Sequence, residues 1–153
     1  MSKFLAFANI GMTAAAKATK SRREVDEVFA ELNRDLEALG DVRLVVREFH
    51  ELPGISAAIQ TFMNPKQYMA LAVESTSNES FRPMQIARWK QPLEGYPCWV
   101  ITEGEEVACE DRRSLEAELG RLLSSVKVGQ ALTAAIAAGR SNGEADPPGA
   151  LPA

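Results

Sequence analysis

His50 is the only histidine of the chain and the first candidate for chemistry, because an imidazole titrates near neutral pH. It lies in the run Arg47-Glu48-Phe49-His50-Glu51, with a carboxylate on either side. Neighbouring carboxylates raise the pKa of a histidine, and a raised pKa suits a general base. However, no serine or cysteine nucleophile stands beside His50 in the sequence, and one histidine cannot build a typical histidine-based metal site. A surface histidine at the end of a strand is the better interpretation, and catalysis is the alternative.

The two cysteines, Cys98 and Cys109, flank a predicted turn at Glu103-Gly104. A two-residue turn there places Cys98 opposite Cys109, with their Cα atoms about 4.5–5.5 Å apart, a separation that a disulfide tolerates. In a reducing cytosol both would remain small buried thiols, and a redox pair is the alternative. The spacing is not CxxC, and two thiolates alone do not make a zinc site. Because GxGxxG and GxxxxGK[ST] motifs are also missing from the sequence, we predict no metal and no cofactor.

The best binding candidate is the segment 81–90, FRPMQIARWK. It holds Arg82, Arg88, Trp89 and Lys90 and no acidic residue. Cations beside an aromatic ring on a strand could contact phosphates and stack bases, as in sheet-based proteins that bind single strands. Successive residues of a strand point to opposite faces, so Arg88 and Trp89 cannot share one surface. The alternative is therefore Trp89 in the core and the cations on a solvated face.

Composition and charge restrict the class of protein. The chain has 153 residues, 46% hydrophobic and 25% charged, as in an ordinary globular domain, and its net charge of −4 argues against wholesale binding to nucleic acid. Its abundance of alanine and arginine suggests a bacterial gene. No apolar run approaches the ~20 residues needed to span a bilayer, so we expect no membrane. The N-terminal FLAFANIGMTAAA is interrupted by polar residues, which favours a cytoplasmic protein over an exported one.

Charge is also unevenly distributed along the chain. Residues 1–23 carry five basic residues and no acid, whereas residues 94–118 carry eight acids and only two arginines. Such a distribution usually reflects solvated faces. It would also suit a head-to-tail contact between copies, so a homodimer is left open.

The first clear element is a helix predicted over 21–39, where apolar residues recur at helical spacing. Ser21 and Glu24 have the spacing of a capping box, and Gly40 follows the last apolar residue, as at many helix C-termini. Residues 1–20 are ambiguous. Residues 3–10 suit a short strand or a helical turn, and residues 12–20 suit a continuation of the helix.

The remaining elements are predicted from the spacing of apolar residues, from prolines and glycines that interrupt it, and from helix-capping residues. Strands are predicted at 42–49, 68–76, 84–90, 96–102 and 105–109, with a short helix over 55–63 after the first of them. Asp111 is the predicted cap of a helix that carries Leu115, Leu119, Leu122, Leu123 and Val126 on one face. A last helix stops at Gly139. Residues 140–153 contain three prolines and little to bury, so a disordered tail is expected.

These elements predict a single α+β domain over residues 1–139 with the order α-β-α-β-β-β-β-α-α. Short connections between the last four strands favour antiparallel pairing, because a parallel pair needs a crossover of a dozen or more residues. The helices are expected to cover one face of a sheet of four or five strands.

For function, the sequence favours a non-enzymatic protein that binds another protein as a regulator, inhibitor or other accessory component. The chain has enough apolar residues to form a core, contains few candidates for catalysis, and has an uneven distribution of charge. The alternative is a nucleic-acid-associated accessory protein that uses segment 81–90, and the third hypothesis is a small enzyme that uses His50 or a cysteine.

Overall fold

The computed structural model of the protein describes residues 2–50 and 67–143. In chain order its elements are α1 (Lys3–Leu36), β1 (Val42–His50), β2 (Gln67–Ser75), β3 (Met84–Lys90), β4 (Cys98–Thr102), β5 (Glu105–Cys109), α2 (Arg112–Leu123) and α3 (Val126–Gly143). The predicted α+β class is confirmed, with three helices and a five-stranded antiparallel sheet over the described part of the chain. The short helix predicted over 55–63 lies outside the described residues.

The sheet is a meander in which neighbouring strands of the sequence are neighbours in space, in the order β1-β2-β3-β4-β5. Every pair is antiparallel. The strand β1 lies at one edge of the described sheet, where no described strand pairs with its outer backbone groups. Asn33 of α1 satisfies two of these groups: its amide donates to the Leu44 carbonyl at 2.8 Å and its carbonyl accepts from the Leu44 N–H at 2.8 Å. This contact fixes α1 against the edge of the sheet.

The hydrophobic core lies between one face of the sheet and the three helices. The helix α1 packs on β1, α3 packs mainly on β2, and α2 packs on β5. Each strand contributes alternate side chains, so its other residues point away from the helices. The largest fully buried side chains are Val25, Val42, Leu44, Leu71, Val73, Cys98, Val100, Cys109, Leu115, Leu119 and Val128. The opposite face of the sheet has no described helix on it.

The predicted helical continuation over 12–20 is confirmed, but α1 begins earlier still and ends at Leu36 rather than at residue 39, and Ser21 is not its cap. The helix begins at Lys3 after Ser2 and continues through Ser21 without a break. Ser21 instead contacts the loop before β4, where Gly95 has φ +95° and a Cβ on it would lie 2.6 Å from the Ser21 Cβ. Glu24 accepts a hydrogen bond from the Tyr96 hydroxyl at 2.8 Å. The two residues that resemble a capping box thus hold this loop against α1.

The start of α2 agrees with the sequence prediction, whereas the junction of α2 with α3 and the end of α3 differ from it. Asp111 caps α2 as predicted: its carboxylate accepts from the Ser114 N–H at 2.7 Å, and its own N–H donates to the Ser114 hydroxyl at 3.1 Å. Val126 does not belong to the stripe of α2, because it begins α3 and is 78% exposed. The helix α3 also continues past Gly139 to Gly143, so the predicted tail cannot begin at residue 140; residues 144–153 lie outside the described part.

Gly139 has a packing role inside α3. A Cβ at this position would lie 3.0 Å from the Ser77 hydroxyl and 3.2 Å from the Asp41 Cβ, so an alanine would require the loop to move by a few tenths of an ångström. Within residues 2–50 and 67–143, no single helix is long and apolar enough to cross a membrane, although α2 and α3, bent by 73° at their junction, meet that test as a pair.

Candidate binding surface

The face of the sheet turned away from the helices is the candidate functional surface, here called the open face. The register defines its members: Arg43 is opposite Glu74, Ala70 is opposite Arg88, and Arg88 is opposite Ile101. Its polar and aromatic side chains are Arg43, Arg47, Phe49, Tyr68, Glu74, Gln85, Arg88, Lys90, Trp99 and Glu106. This group combines cations with aromatic rings across four of the five strands, and that composition is typical of recognition surfaces.

Glu74 organises the β1 side of the open face. Its side chain is only 8% exposed, and it forms ion pairs with Arg43 and with Arg47, whose Nη2 lies 2.9 Å from Oε1. Burial is the largest influence on the pKa of Glu74 and opposes ionisation, but the hydrogen bonds from Arg47 and Arg43 outweigh it. The pKa of Glu74 is therefore lowered, and Glu74 is an anion at neutral pH that holds two half-exposed guanidinium groups in place.

Tyr68 organises the centre of the open face. Its ring stacks with Phe49 on the neighbouring strand, with ring centroids 6.1 Å apart and planes at 21°. From the other neighbouring strand, the guanidinium carbon of Arg88 lies 4.1 Å from the Tyr68 ring centroid, within the range of a cation–π contact. The Tyr68 hydroxyl donates to the Gln85 side-chain oxygen at 2.8 Å. Side chains of three strands are thus fixed relative to one another.

The sequence-predicted binding residues divide between the two faces. Arg88 and Lys90 are exposed on the open face, and Arg82 is exposed just before β3. Trp89 is only 5% exposed and packs edge to face against Phe29 of α1, with ring centroids 5.4 Å apart. Trp89 therefore belongs to the core and contributes nothing to the surface.

The aromatic residues of the open face are Phe49, Tyr68 and Trp99, none of which the sequence argument assigned to a site. Trp99 lies opposite Lys90 on β4, next to the core residue Cys98. The position of Trp99 on the open face could have been predicted, because alternation within CWVIT places Trp99 on the face opposite to Cys98 and Val100. The contribution of Phe49 and Tyr68 depends on the register of β1 with β2, and no turn motif in the sequence fixes that register.

Cys98 and Cys109 face each other on β4 and β5, as the turn argument predicts. Both thiols are free and fully buried. Burial, followed by the charge of Cys109, raises the pKa of Cys98 to about 12. Burial, followed by the charges of Glu118 and Asp111, raises the pKa of Cys109 to about 11. Since the thiolate is the nucleophile and the metal ligand, burial and the raised pKa values both oppose reaction of these thiols in the folded state.

His50 is the last residue of β1, is exposed, and pairs with Gln67. Its sequence neighbour Glu51 lies outside the described residues. Across residues 2–50 and 67–143, no group of three or more histidine, cysteine, aspartate and glutamate side chains is arranged to hold a metal ion.

Comparison with known proteins gives no relative: no family model, no curated protein and no solved structure matches the chain.

Proposed function

We propose that the protein is a cytoplasmic, non-enzymatic accessory protein that binds another protein through the open face of its sheet. The observation that carries the proposal is the prearranged network on that face, where Glu74 holds Arg43 and Arg47, and Phe49 and Arg88 flank Tyr68. Side chains that are already ordered lose little conformational entropy on binding, which favours recognition. Arginine and aromatic side chains are also the types enriched at protein interfaces.

The charge of the open face indicates the chemistry of the partner. Four cations, Arg43, Arg47, Arg88 and Lys90, stand against Glu74 and Glu106, so the surface is positive on a chain whose net charge is −4. Complementary potentials steer association and select the orientation of a partner. We therefore propose a partner surface that is acidic and that offers apolar side chains to the rings of Phe49, Tyr68 and Trp99.

A single-stranded nucleic acid is the second candidate. The exposed cations Arg82, Arg88 and Lys90 on and before one strand favour it, with Trp99 beside Lys90. Binding of this kind also requires ring faces on which bases can stack. Tyr68 offers little room for a base, because Phe49 and Arg88 already contact its ring from the two neighbouring strands. This arrangement favours a protein partner over a nucleic acid.

The test is a face variant in which Arg82, Arg88 and Lys90 are all replaced by glutamine. The matched control replaces Arg34, Arg113 and Arg140, three exposed arginines of the helices, so that both proteins lose the same charge. Exposed substitutions usually change the free energy of unfolding by no more than about 0.5 kcal/mol each, so both variants are expected to fold. Circular dichroism and thermal unfolding check this condition.

Affinity capture from the native host compares the wild type, the face variant and the control. The proposal expects a protein that the wild type and the control retain and that the face variant loses, while His50→Ala changes nothing. A salt-dependent mobility shift of single-stranded DNA or RNA that the face variant abolishes would move the function to the second candidate. Loss of activity in His50→Ala with full activity in the face variant would favour the enzyme hypothesis instead.

A further inference from the structure

The first sixteen residues of α1, residues 3–18, form an arm that extends beyond the rest of the domain. Its large apolar side chains are solvated: Phe4, Phe7, Ile10 and Met12 are 60–77% exposed and Leu5 is 50% exposed. The first buried residue of α1 is Val25. At 1.5 Å per residue the arm is about 24 Å long. An exposed apolar segment of this size indicates a surface that another molecule covers.

The arm repeats the core-facing stripe of the same helix. Phe7, Ile10 and Ala14 each precede a core residue, respectively Val25, Val28 and Leu32, by a spacing that corresponds to about five turns of helix. They therefore lie on the same face of α1 as the residues that pack on the domain. Because the arm stands beyond the domain, its part of the stripe stays exposed and needs a second surface of similar kind.

A groove between α1 and α2 offers such a surface. It has a volume of about 250 Å³, its apolar floor includes Leu32 and Leu123, and its rim carries Glu31, Asp35 and Glu116. Arg112 bridges Glu31 at 3.1 Å and Glu116 at 2.9 Å. One arginine cannot neutralise this rim, so the groove stays negative.

We propose that the arm of one copy docks in this groove of a second copy, reciprocally, to form a dimer. The arm is complementary in charge, because it contains Lys3 and Lys17 and no acid, and the helix continues directly into Lys20, Arg22 and Arg23. It is also rich in alanine, with Gly11 near its middle, and such small residues permit close helix packing.

Reciprocal docking is possible because α1 carries the arm at its N-terminal end and forms one wall of the groove nearer its C-terminal end. When two copies of α1 lie antiparallel, the arm of each reaches the groove of the other, which gives a closed twofold interface. The alternative occupant is an anionic lipid surface, which a basic amphipathic helix could also bind. The acidic rim of the groove is complementary to the basic arm, and the small residues of the arm suit contact between helices, so a second copy is favoured.

The test uses two charge-reversed variants and sedimentation velocity over a range of concentrations. The arm variant, K3E/K17E/K20E, reverses the two lysines of the arm and Lys20 just after it, and the groove variant is E31K/D35K/E116K. Each alone is expected to weaken dimerisation about ten- to hundredfold, because reversal removes the attraction between the exposed charges and adds repulsion. Mixed in equal amounts, the two variants restore both complementary contacts and are expected to form a heterodimer at wild-type affinity.

A control and an apolar variant keep the interpretation independent of folding. Reversing Lys127, Arg113 and Arg140, which lie outside both surfaces, is expected to leave the dimer intact. F7S/I10S changes only the exposed arm, so the domain remains folded, and a monomer is expected. A wild type that stays monomeric, or a mixture of charge variants that stays monomeric, overturns the proposal. Binding of a monomeric wild type to vesicles of anionic lipid, lost in F7S/I10S, would assign the arm to a lipid surface and also overturn it.

Discussion

Replacing Glu74 by glutamine removes the anion that holds Arg43 and Arg47 on the open face while keeping the shape of the side chain. The carboxylate accepts from Arg47 at 2.9 Å and 3.2 Å and also accepts from Arg43. A glutamine keeps one acceptor oxygen and presents an NH₂ group to two guanidinium groups. We expect the arginines to turn toward solvent, which is possible because each is about half exposed.

The magnitude follows from two opposing terms. Hydrogen bonds to a charged group contribute about 1.5–3 kcal/mol each. Burial of Glu74 opposes this, and solvent screens the half-exposed arginines, so the net loss is about 1–2 kcal/mol. For a domain of this size that corresponds to a fall in melting temperature of about 2–8 °C. Glu106→Gln is the matched control, because Glu106 is an exposed carboxylate on the same face and should cost less than about 0.5 kcal/mol.

The dependence of stability on pH identifies the charge as the cause. The native pKa of Glu74 lies below its ordinary value of 4.5, so its contribution is fully present above that pH and is lost as the pH falls through the native pKa. Urea unfolding of the wild type and Glu74→Gln at pH 7 and at successively lower pH measures the difference. The two proteins should converge only below about pH 4.5. A difference that persists undiminished in acid, or is missing at pH 7, would mean that the charge of Glu74 does not stabilise the fold.

Three further predictions concern packing and thiol chemistry. Leu119→Ala should lower the free energy of unfolding by about 2–5 kcal/mol in urea titrations, since Leu119 is 1% exposed in the core. Gly95→Ala should cost about 1–3 kcal/mol more than Gly104→Ala in thermal unfolding: both glycines have positive φ, but only at Gly95 would the new Cβ meet α1. Cys98 and Cys109, with pKa values of about 12 and 11, should react with Ellman's reagent at pH 8 only after unfolding, and rapid labelling of the folded protein would contradict their burial.

Local signals in the sequence were sufficient where a turn or a cap fixes the geometry. The pairing of Cys98 with Cys109 followed from a two-residue turn in which Gly104 supplies φ +82°. Asp111 was identified as a cap because a short polar acceptor precedes an apolar stripe. In both cases the deciding interactions lie within a few residues of one another, so no tertiary context was needed.

The same kind of signal was misleading at Ser21. Its spacing to Glu24 matches a capping box, but the alanine-rich residues before it continue the helix, because alanine has the highest helix propensity. The polar side chains that resembled a cap serve a contact with Gly95 and Tyr96, more than seventy residues away in sequence. Tertiary contacts of this range leave no local pattern.

The candidate surface shows the same limit. Alternation separates Arg88 and Lys90 from Trp89, so one strand of the open face could be predicted from the sequence. The contribution of Arg43 and Arg47 could not be predicted, because no turn motif in the sequence fixes the register of β1 with β2. A shift of one residue in that register would move Glu74 to the core. Alternation within one strand shows which of its residues share a face. Only the register between strands shows which residues of different strands form one surface.

The two proposed surfaces lie on opposite sides of the sheet, and this has a consequence for binding. The arm and its groove belong to the helical layer, so a dimer formed through them leaves the open face of each copy accessible. Such a dimer is bivalent, and a partner with two or more sites would be held more tightly than by one copy, by an effective-concentration effect. The face variant should therefore still dimerise, and F7S/I10S should still bind a monovalent partner with unchanged affinity while losing the additional affinity for a bivalent one. If either variant lost dimerisation and partner binding to the same extent, the open face and the arm would belong to a single surface.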